Sequence, residues 1–390
     1  MNSKHKYILV INSGSATLKF SLLSSHGLKV KLNGIVERIG LKDSFIQYQE
    51  GKLKPVHIDY PKGVISHTNA IHLVLGVIEL LGLEVGIVGH RVVHGGKKLT
   101  RPMLVNKAIL KQIEECSVMA PLHNPANVAG IKACIRLLPG IKNVVHFDTA
   151  FHATLKPESY LYALPNKYYT QHNIRKYGFH GLSHQYVAER AALKLKRPLS
   201  KLNLITCHLG SGCSLTAIMK GKSIDTTMGF TPLEGLVMAT RCGDIDPAIV
   251  LYLINQIKLS TQQVQHLLNK ESGWKGLSGI SSDLREVLIV AGYKVPGFTS
   301  KKKYNPKVRQ QAKTAIDVLV YRIQKYLGSY LARLPRTDAI VFTAGIGERN
   351  STIRSLVLKG IRLPKETKML VIPTYEEYII ARATLNFLKK

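Results

Sequence analysis

Two short segments of the sequence combine glycine with hydroxyl side chains in the same order. Residues 10–20 read VINSGSATLKF and residues 207–218 read CHLGSGCSLTAI. In each, an apolar run ends at a polar residue, turns through glycine and serine, and resumes as an alternating strand. Glycine lets backbone N–H groups approach an oxyanion and the hydroxyls add donors, so both segments are candidate phosphate-binding hairpin turns. For either turn alone, a purely structural hairpin is the alternative.

The spacing around these turns refines the chemistry. Lys19 lies two residues after Thr17 on the same face of its strand, so its ammonium group could reach an anion held at Gly14. Neither turn is a Walker A loop, because GxxxxGK[ST] is absent and a strand follows instead of a helix.

A third glycine segment, TAGIGE at residues 343–348, follows a predicted strand and precedes a predicted helix. Backbone N–H groups at a helix start bind phosphate, although tight packing would also explain the glycines. Three such turns, two related by apparent duplication, predict a nucleotide held between two similar domains.

The elements that must position these turns alternate between strands and helices. After the first hairpin come a helix around Ala70–Leu81, a buried strand at Val85–Val93 and a strand ending at Asp148. The pattern then restarts, which predicts an α/β fold with two halves. In the second half we expect Ser183 to cap one helix and Asn305 to cap a long one.

The composition is that of a folded chain with two domains of ordinary size. It has 390 residues, 45% hydrophobic and 20% charged, without an apolar run long enough for a membrane span. The basic start lacks the apolar core of a signal peptide. Five cysteines without a CxxC pair fit a reducing compartment, so we expect a cytoplasmic protein.

The net charge is +31, from 55 Lys and Arg against 24 Asp and Glu. The basic residues are dispersed apart from Lys301–Lys303, and no nucleic-acid-binding motif accompanies them, so nucleic acid is not the expected partner.

Two histidine pairs, His90 with His94 and His180 with His184, raise the question of a zinc site. The first pair lies on a predicted strand, where residues four apart are separated by about 13 Å. The second has no third ligand in sequence reach. Satisfied structural histidines are the simpler interpretation of both pairs.

Eleven segments between Val10 and Glu377 together resemble the acetate kinase family. They are VINSGSATLKF, GHRVVHGG, APLHNP, FDTAFH, YALP, RKYGFHGLSH, CHLGSGCSLTAI, MGFTPLEGLVMATRCGDIDPAIV, SGISSDLR, VFTAGIGE and VIPTYEE. The resemblance implies two duplicated ribonuclease-H-like domains of the actin-like ATPase fold with a nucleotide cleft between them. It implies an N-terminal domain at 1–150, a nucleotide-binding domain at 151–376, and a C-terminal helix at about 377–390 packed on the first.

The resemblance also implies a reaction and its residues. The reaction is reversible, in-line transfer of the ATP γ-phosphoryl group to acetate, giving acetyl phosphate and ADP, in a homodimer that uses Mg²⁺ or also Mn²⁺. The matching positions are Asn12 and Glu376 for magnesium; Arg91 for acetate; Val93, Leu122, Phe179 and Pro232 around its methyl group; Asp148, His180, Arg241 and Arg91 for catalysis; and Lys19, His208, Leu209, Gly210, Ser211, Gly212, Asp283, Leu284, Arg285, Gly345, Ile346, Gly347, Glu348 and Arg349 for the nucleotide.

Elementary chemistry supports these residue types. A metaphosphate-like transition state spreads negative charge over three oxygens, which two guanidinium groups, an imidazole N–H and Mg²⁺ can stabilise. Acetate is already ionised at neutral pH, since carboxyl groups titrate near pH ~4. We therefore expect Asp148 to orient the metal, its water or an arginine, and not to remove a proton.

Three residues depart from the family pattern, which usually has asparagine at the positions of Ser211, Arg349 and Tyr375. The segment 361–370 is also short. Arg349, Tyr375 and the high charge leave a catalytically weakened nucleotide-binding protein as one alternative, and a propionate or butyrate kinase of the same superfamily is another.

Overall fold

The computed structural model describes residues 6–299 and 304–388, so the basic run at Lys301–Lys303 and the first five residues lie outside it. The strands are β1 Lys6–Ser13, β2 Thr17–Ser24, β3 Val30–Glu37, β4 Ser44–Glu50, β5 Val56–Tyr60, β6 Glu84–Val92, β7 Met103–Leu104, β8 Lys142–Phe147, β9 Asn203–Leu209, β10 Cys213–Met219, β11 Lys222–Thr226, β12 Ala339–Thr343 and β13 Lys368–Val371. The α-helices are α1 His67–Leu80, α2 Lys107–Glu115, α3 Asn124–Leu137, α4 Pro157–Tyr160, α5 Asn166–His172, α6 Gly181–Lys194, α7 Pro247–Asn255, α8 Thr261–His266, α9 Gly273–Ser278, α10 Leu284–Val290, α11 Pro306–Arg333, α12 Ala344–Arg349, α13 Ser351–Leu358 and α14 Glu376–Leu388.

The chain forms two units, the first from Met1–Ala153 and Tyr375–Lys390 and the second from Thr154–Thr374. The sheet of the first unit has the strand order β5-β4-β3-β2-β1-β6-β8-β7, and that of the second β11-β10-β9-β12-β13. Both contain the same arrangement: three antiparallel strands in sequence, followed on the side of the first strand by two parallel ones. The predictions of an α/β fold and of duplicated ribonuclease-H-like sheets are confirmed.

The two glycine–serine segments are hairpin turns, as predicted. Strand β1 pairs antiparallel with β2, and β9 pairs antiparallel with β10, with the glycines between them. Each of the first strands also pairs in parallel on its other side, with β6 and β12 respectively. Each turn therefore lies at the sheet edge where its neighbouring parallel strand also ends, which is the usual location of α/β ligand sites.

Two helices begin at asparagine caps, and the cap of α11 is the one predicted from the sequence. The side chain of Asn305 caps α11 by accepting a hydrogen bond from the Val308 N–H, and Asn350 caps α13 through the Ile353 N–H. The glycine segment before Asn350 is itself the short helix α12 and not an open turn.

The prediction that Ser183 caps a helix is wrong. Helix α6 begins at Gly181, because His180 adopts a left-handed backbone with φ of 57° and is the N-cap, three residues before Ser183. Ser183 is thus inside the first helical turn. Its hydroxyl lies 2.8 Å from His208 Nδ1 and 2.8 Å from Thr374 Oγ1.

The buried core of the first unit lies between its sheet and helices α1 and α3, and includes Leu18, Phe20 and Val74. On the first unit's sheet, α14 contacts β6, β1 and β8. The approach is close at Gly89, where a Cβ atom would stand 2.6 Å from Thr384 Oγ1 and 2.7 Å from Ile380 Cγ2. A glycine in β6 thus lets α14 lie directly on the sheet.

Candidate active site

The first unit gathers charged side chains at the carboxyl ends of its parallel strands. Arg91 on β6 lies opposite His146 on β8, and Asp148 follows β8 directly. The Arg91 guanidinium donates from Nε to Asp148 Oδ1 at 2.9 Å and from Nη2 to Asp148 Oδ2 at 2.6 Å. The remaining nitrogen, Nη1, lies 3.5 Å from Glu376 Oε2 at the start of α14. This fork-to-fork pairing fixes the plane of the guanidinium.

Burial and charge oppose each other in this group. Burial lowers the pKa of Arg91, but the carboxylates of Asp148 and Glu376 outweigh it and the net shift is upward. Burial raises the pKa of the adjacent Glu377, and the charge of Glu376 adds to that rise. Arg91 therefore stays cationic. Because 18% of its side chain is exposed, an anion can contact it.

Two asparagines on α3 hold the backbone around Arg91. The Asn127 side chain accepts from the Val93 N–H at 3.1 Å and donates to the Ser13 carbonyl at 2.6 Å, which ties the end of β6 to the first glycine turn. Asn124 exchanges two hydrogen bonds of 3.0 Å with the backbone of His94. Sequence reasoning did not single out either residue, although two buried amides three apart in a helix are a usable signal.

Asn12 and Lys19 lie directly opposite each other on the first hairpin, so their side chains share a face. Lys19 is exposed and Asn12 is half-buried. Of the residues predicted around the methyl group, Leu122 and Val93 belong to the first unit, where Leu122 is 40% exposed and Val93 is half-buried. Phe179 and Pro232 belong to the second unit. Each unit therefore contains two of the four residues predicted to surround the methyl group of acetate.

In the second unit, two imidazole rings stack beside the second glycine turn. The His180 and His208 rings are 4.1 Å apart and nearly parallel. A serine hydroxyl lies near Nδ1 of each ring, Ser214 Oγ at 2.9 Å from His180 and Ser183 Oγ at 2.8 Å from His208. A Cβ atom at Gly212 would come within 3.2 Å of the His180 ring, so the turn leaves its backbone open to the imidazole.

Arg241 reaches the same turn without an acidic partner. A Cβ atom at Gly212 would lie 3.6 Å from Arg241 Nη1, which donates to the Pro232 carbonyl at 2.9 Å. Within the part of the chain that the structure describes, no carboxylate forms an ion pair with Arg241. Burial lowers its pKa, as expected for a cation whose charge is not compensated inside the protein. An anionic ligand would supply the missing charge.

The loop that carries Arg241 is fastened by Asp244. The Asp244 carboxylate accepts from the Gly235 N–H at 2.8 Å and from the Tyr326 hydroxyl at 2.6 Å, and its own N–H donates to the Gly235 carbonyl. Gly243 has φ of +69°, and a Cβ atom there would lie 2.5 Å from the Gly235 carbonyl oxygen. The guanidinium therefore projects from a closed, hydrogen-bonded loop.

A cavity of about 590 Å³ adjoins the second turn. Eight of its lining residues belong to the predicted nucleotide segments: Gly210, Ser211, Asp283, Leu284, Arg285, Gly345, Ile346 and Arg349. Its other lining residues, none of which the resemblance assigned to the nucleotide, include Trp274, Ser282, Val295, Pro296 and Asn350. A volume of this size is typical of a site for a small organic ligand.

The other six predicted nucleotide residues are not among its lining residues: Lys19, His208, Leu209, Gly212, Gly347 and Glu348. Leu209 and Gly347 are buried, and the Glu348 carboxylate accepts from the Thr374 N–H at 2.9 Å. Asp283, which does line the cavity, also caps α10 and pairs with Arg285 at 2.6 Å, and this pairing holds the pKa of the Asp283 carboxyl below its usual range.

The described residues, 6–299 and 304–388, contain no cluster of metal-ligating side chains. No group of three or more His, Cys, Asp and Glu side chains there is arranged to hold a metal ion, and the two histidine pairs form none. His184 instead contacts Thr206 and Ser214, and His90 contacts Asn143. Nor is any described helix long and apolar enough to cross a membrane.

Comparison with known proteins is consistent over the whole chain. Residues 7–364 match the profile of the Acetokinase family. An acetate kinase of Halothermothrix orenii is 43% identical, covering 98% of this chain and 99% of its own length. The crystal structure of Porphyromonas gingivalis acetate kinase superposes with a TM-score of 0.86 at 36% identity, covering 98% of this chain and 100% of its own. A propionate kinase from Francisella tularensis gives 0.88 at 36% identity, covering 98% and 99%. The chain belongs to the Acetokinase family.

Proposed function

We propose that this protein transfers the γ-phosphoryl group of ATP to acetate, forming acetyl phosphate and ADP, and catalyses the reverse reaction. The observation that carries the proposal is Arg241, a half-buried guanidinium beside the Gly212 turn and the His180 ring. A cation in this position stabilises the negative charge on a phosphoryl group during its transfer, whereas it would gain little from a neutral ligand.

The nucleotide occupies the cavity beside Gly210 in this proposal. In this proposal the backbone N–H groups of the turn donate to phosphate oxygens, and the carboxylate of Asp283, which lines the cavity, accepts from ribose hydroxyls. Arg349, where the family usually has asparagine, adds a positive charge to the cavity wall and favours the polyphosphate.

Acetate binds at Arg91. Two of its guanidinium nitrogens are engaged by Asp148, so the planar fork is pre-oriented while part of it stays exposed. Since acetate carries no proton to remove at neutral pH, Asp148 acts by aiming Arg91 and not as a base.

The residues at this end of the sheet fit a magnesium ion. Mg²⁺ is bound through one or two carboxylates plus phosphate oxygens and waters, and Glu376 with the amide oxygen of Asn12 offers hard oxygen donors of this kind. The ion would neutralise charge on the phosphates during transfer. Asn12 and Glu376 would hold it.

The test is a hydroxamate assay for acetyl phosphate with acetate, ATP and Mg²⁺. Turnover in the native protein is expected, with a loss of about 10²–10³-fold in kcat for Arg241→Ala. The matched control is Arg336→Ala, which removes an arginine that is 62% exposed in the same unit and should retain full activity. Absence of turnover, or equal losses in both variants, would refute the proposal.

Propionate is a second candidate substrate, because the propionate kinase above is as similar in structure as the acetate kinase. One methylene is discriminated by only about 1–3 kcal/mol, so propionate should be turned over more slowly and not excluded. The same assay with propionate and butyrate decides the preference through kcat/KM.

Helix α7 supports a homodimer. None of its residues is buried, although its sequence is PAIVLYLIN, and Leu251 is 61% and Tyr252 59% exposed. An apolar helix of this kind is typical of a subunit interface. Light scattering should give twice the chain mass, and Leu251→Glu should lower it to the monomer mass. A monomeric native protein would contradict this assignment.

The five cysteines support a reducing, cytoplasmic location. All are unpaired thiols, and four of them are buried. Secreted domains usually place cysteines in disulfides. Fractionation of the native cells would test this location.

A further inference from the structure

A chain of hydrogen bonds runs from inside the second unit to the His180 ring. It joins Thr206 Oγ1 to His184 Nδ1 at 2.7 Å, His184 Nε2 to Ser214 Oγ at 2.8 Å, and Ser214 Oγ to His180 Nδ1 at 2.9 Å. Thr206, His184 and Ser214 are completely buried. We call this the Thr206–Ser214 relay.

Each hydroxyl in the relay has one proton, so the direction of donation at one end determines it throughout. If Thr206 donates to His184 Nδ1, then His184 donates from Nε2 to Ser214, and Ser214 donates to His180 Nδ1. His180 must then carry its own proton on Nε2. In the opposite direction, His180 would carry the proton on Nδ1.

The geometry around Thr206 selects the first direction. Its hydroxyl lies 2.7 Å from His184 Nδ1 but 3.5 Å from the Thr216 carbonyl, the alternative acceptor. If Thr206 accepted the short bond from His184, its own proton would point to that distant carbonyl, and a poorly satisfied buried donor is costly. Thr206 therefore donates to His184.

We propose that the Thr206–Ser214 relay fixes His180 as the Nε2–H tautomer, so that this nitrogen donates a hydrogen bond to the transferring phosphoryl group. Ser214 and His184 are then positioning residues. The inference rests on the proposed function, because it assumes that His180 faces the phosphoryl group.

The backbone supports such a role. His180 has a positive φ of 57°, which is unfavourable for a residue with a side chain, at the point where α6 begins. A relay anchored in β9 and β10 holds the ring in this conformation. Among the groups near the ring are His208, stacked at 4.1 Å, and Arg241, whose guanidinium lies beside the same Gly212 turn.

The first experiment needs only the native protein. Nitrogen-15 NMR of the histidine rings distinguishes a protonated from an unprotonated ring nitrogen. We expect His180 to show Nε2 protonated and Nδ1 unprotonated at pH 8, without any substrate. A spectrum with the proton on Nδ1 would overturn the proposal whatever reaction the enzyme catalyses, so this result is separate from the acetate assay.

The second experiment uses Ser214→Ala, with Thr216→Val as the matched control. Thr216 is also buried on β10, but its hydroxyl pairs with Thr226 Oγ1 at 2.9 Å outside the relay. Ser214→Ala should lower kcat about fivefold at pH 8, the size of one lost hydrogen bond, with little change in the KM for acetate. Thr216→Val should leave kcat and the His180 spectrum unchanged.

The pH dependence separates positioning from a general structural defect. An imidazolium donates from both nitrogens, so the deficit of Ser214→Ala should shrink as the pH falls from 8 to 6. A deficit that is equal at every pH, a native His180 spectrum in Ser214→Ala, or an equal loss in Thr216→Val would overturn the proposal.

Discussion

The pairing of Arg91 with Asp148 makes a sharp prediction for Asp148→Asn. The amide keeps one oxygen acceptor but turns an NH₂ group toward a guanidinium N–H, so one of the two bonds of 2.9 and 2.6 Å is lost together with the charge. Asp148 is 1% exposed, and breaking a buried ion pair costs about 3–5 kcal/mol. Because Arg91 keeps Glu376 at 3.5 Å, we expect the lower end of that range.

The consequence for stability and activity can be measured separately. A loss of about 3 kcal/mol corresponds to a fall in Tm of about 6–12 °C for a unit of this size. A misaligned Arg91 should lower kcat about 10²–10³-fold, as removal of one oxyanion donor does. The hydroxamate assay at saturating substrates, from pH 6 to 9 and below the variant's Tm, reports this loss.

The pH profile decides between orientation and proton removal. If Asp148 aims Arg91, the deficit is the same at every pH. If Asp148 is a general base, raising the pH should restore the rate by about tenfold per unit, and that result would refute our reasoning. Asp59→Asn, at a carboxylate that is 72% exposed in the same unit, is the control and should retain full activity.

Three further predictions concern buried groups. Burial lowers the pKa of His90 to about 4 and of His146 to about 3, so both stabilise the fold above pH ~6.5. Below that pH the unfolded chain binds more protons than the folded one. The free energy of unfolding should therefore decrease by about 1.4 kcal/mol for each histidine with every unit by which the pH is lowered. In thermal melts, His146→Gln should halve this dependence of stability on pH. Gly89→Ala places a methyl group against α14 and should lower both Tm and activity, since α14 carries Glu376. Burial raises the pKa of Cys213 to about 12, so iodoacetamide should leave it unmodified by mass spectrometry.

Each of these has a contrary result. A pH-independent Tm between 4 and 7 would contradict neutral buried histidines. Gly76→Ala on α1 is the control for Gly89→Ala because nothing lies within 4 Å of its added methyl group, and equal losses would show that the α14 contact is not responsible. Rapid alkylation of Cys213 in the native protein would mean that the second turn opens.

Local signals predicted the parts of the fold that depend on neighbouring residues. The glycine–serine turns follow from glycine between alternating strands, and Asn305 caps α11 through a contact three residues away. Capping failed at Ser183 because the backbone of His180 is left-handed. The His180 ring contacts Ser214, which is 34 residues away in sequence, and capping rules consider only residues that are near in sequence.

The candidate site was predictable as a set of residue types but not as a set of contacts. Arg91 and Asp148 are 57 residues apart, and they meet because parallel pairing of β6 with β8 aligns their carboxyl ends. The cavity lining includes Trp274, whose indole N–H donates to the Ser282 carbonyl at 3.0 Å and shapes the loop before Asp283. This contact could not be predicted from the sequence, because it depends on how α9 and the loop before Asp283 lie in the folded chain.

Helix α14 has a consequence for how the protein is made. The second carboxylate beside Arg91, after that of Asp148, belongs to Glu376, which the ribosome adds more than two hundred residues after Asp148. The rest of the first unit therefore leaves the ribosomal exit tunnel before α14, which packs on its sheet at Gly89, has been made. Synthesis of the entire second unit comes in between. Glu376 can therefore join Arg91 only after the second unit has been synthesised, whereas the His180 turn forms from residues within the second unit.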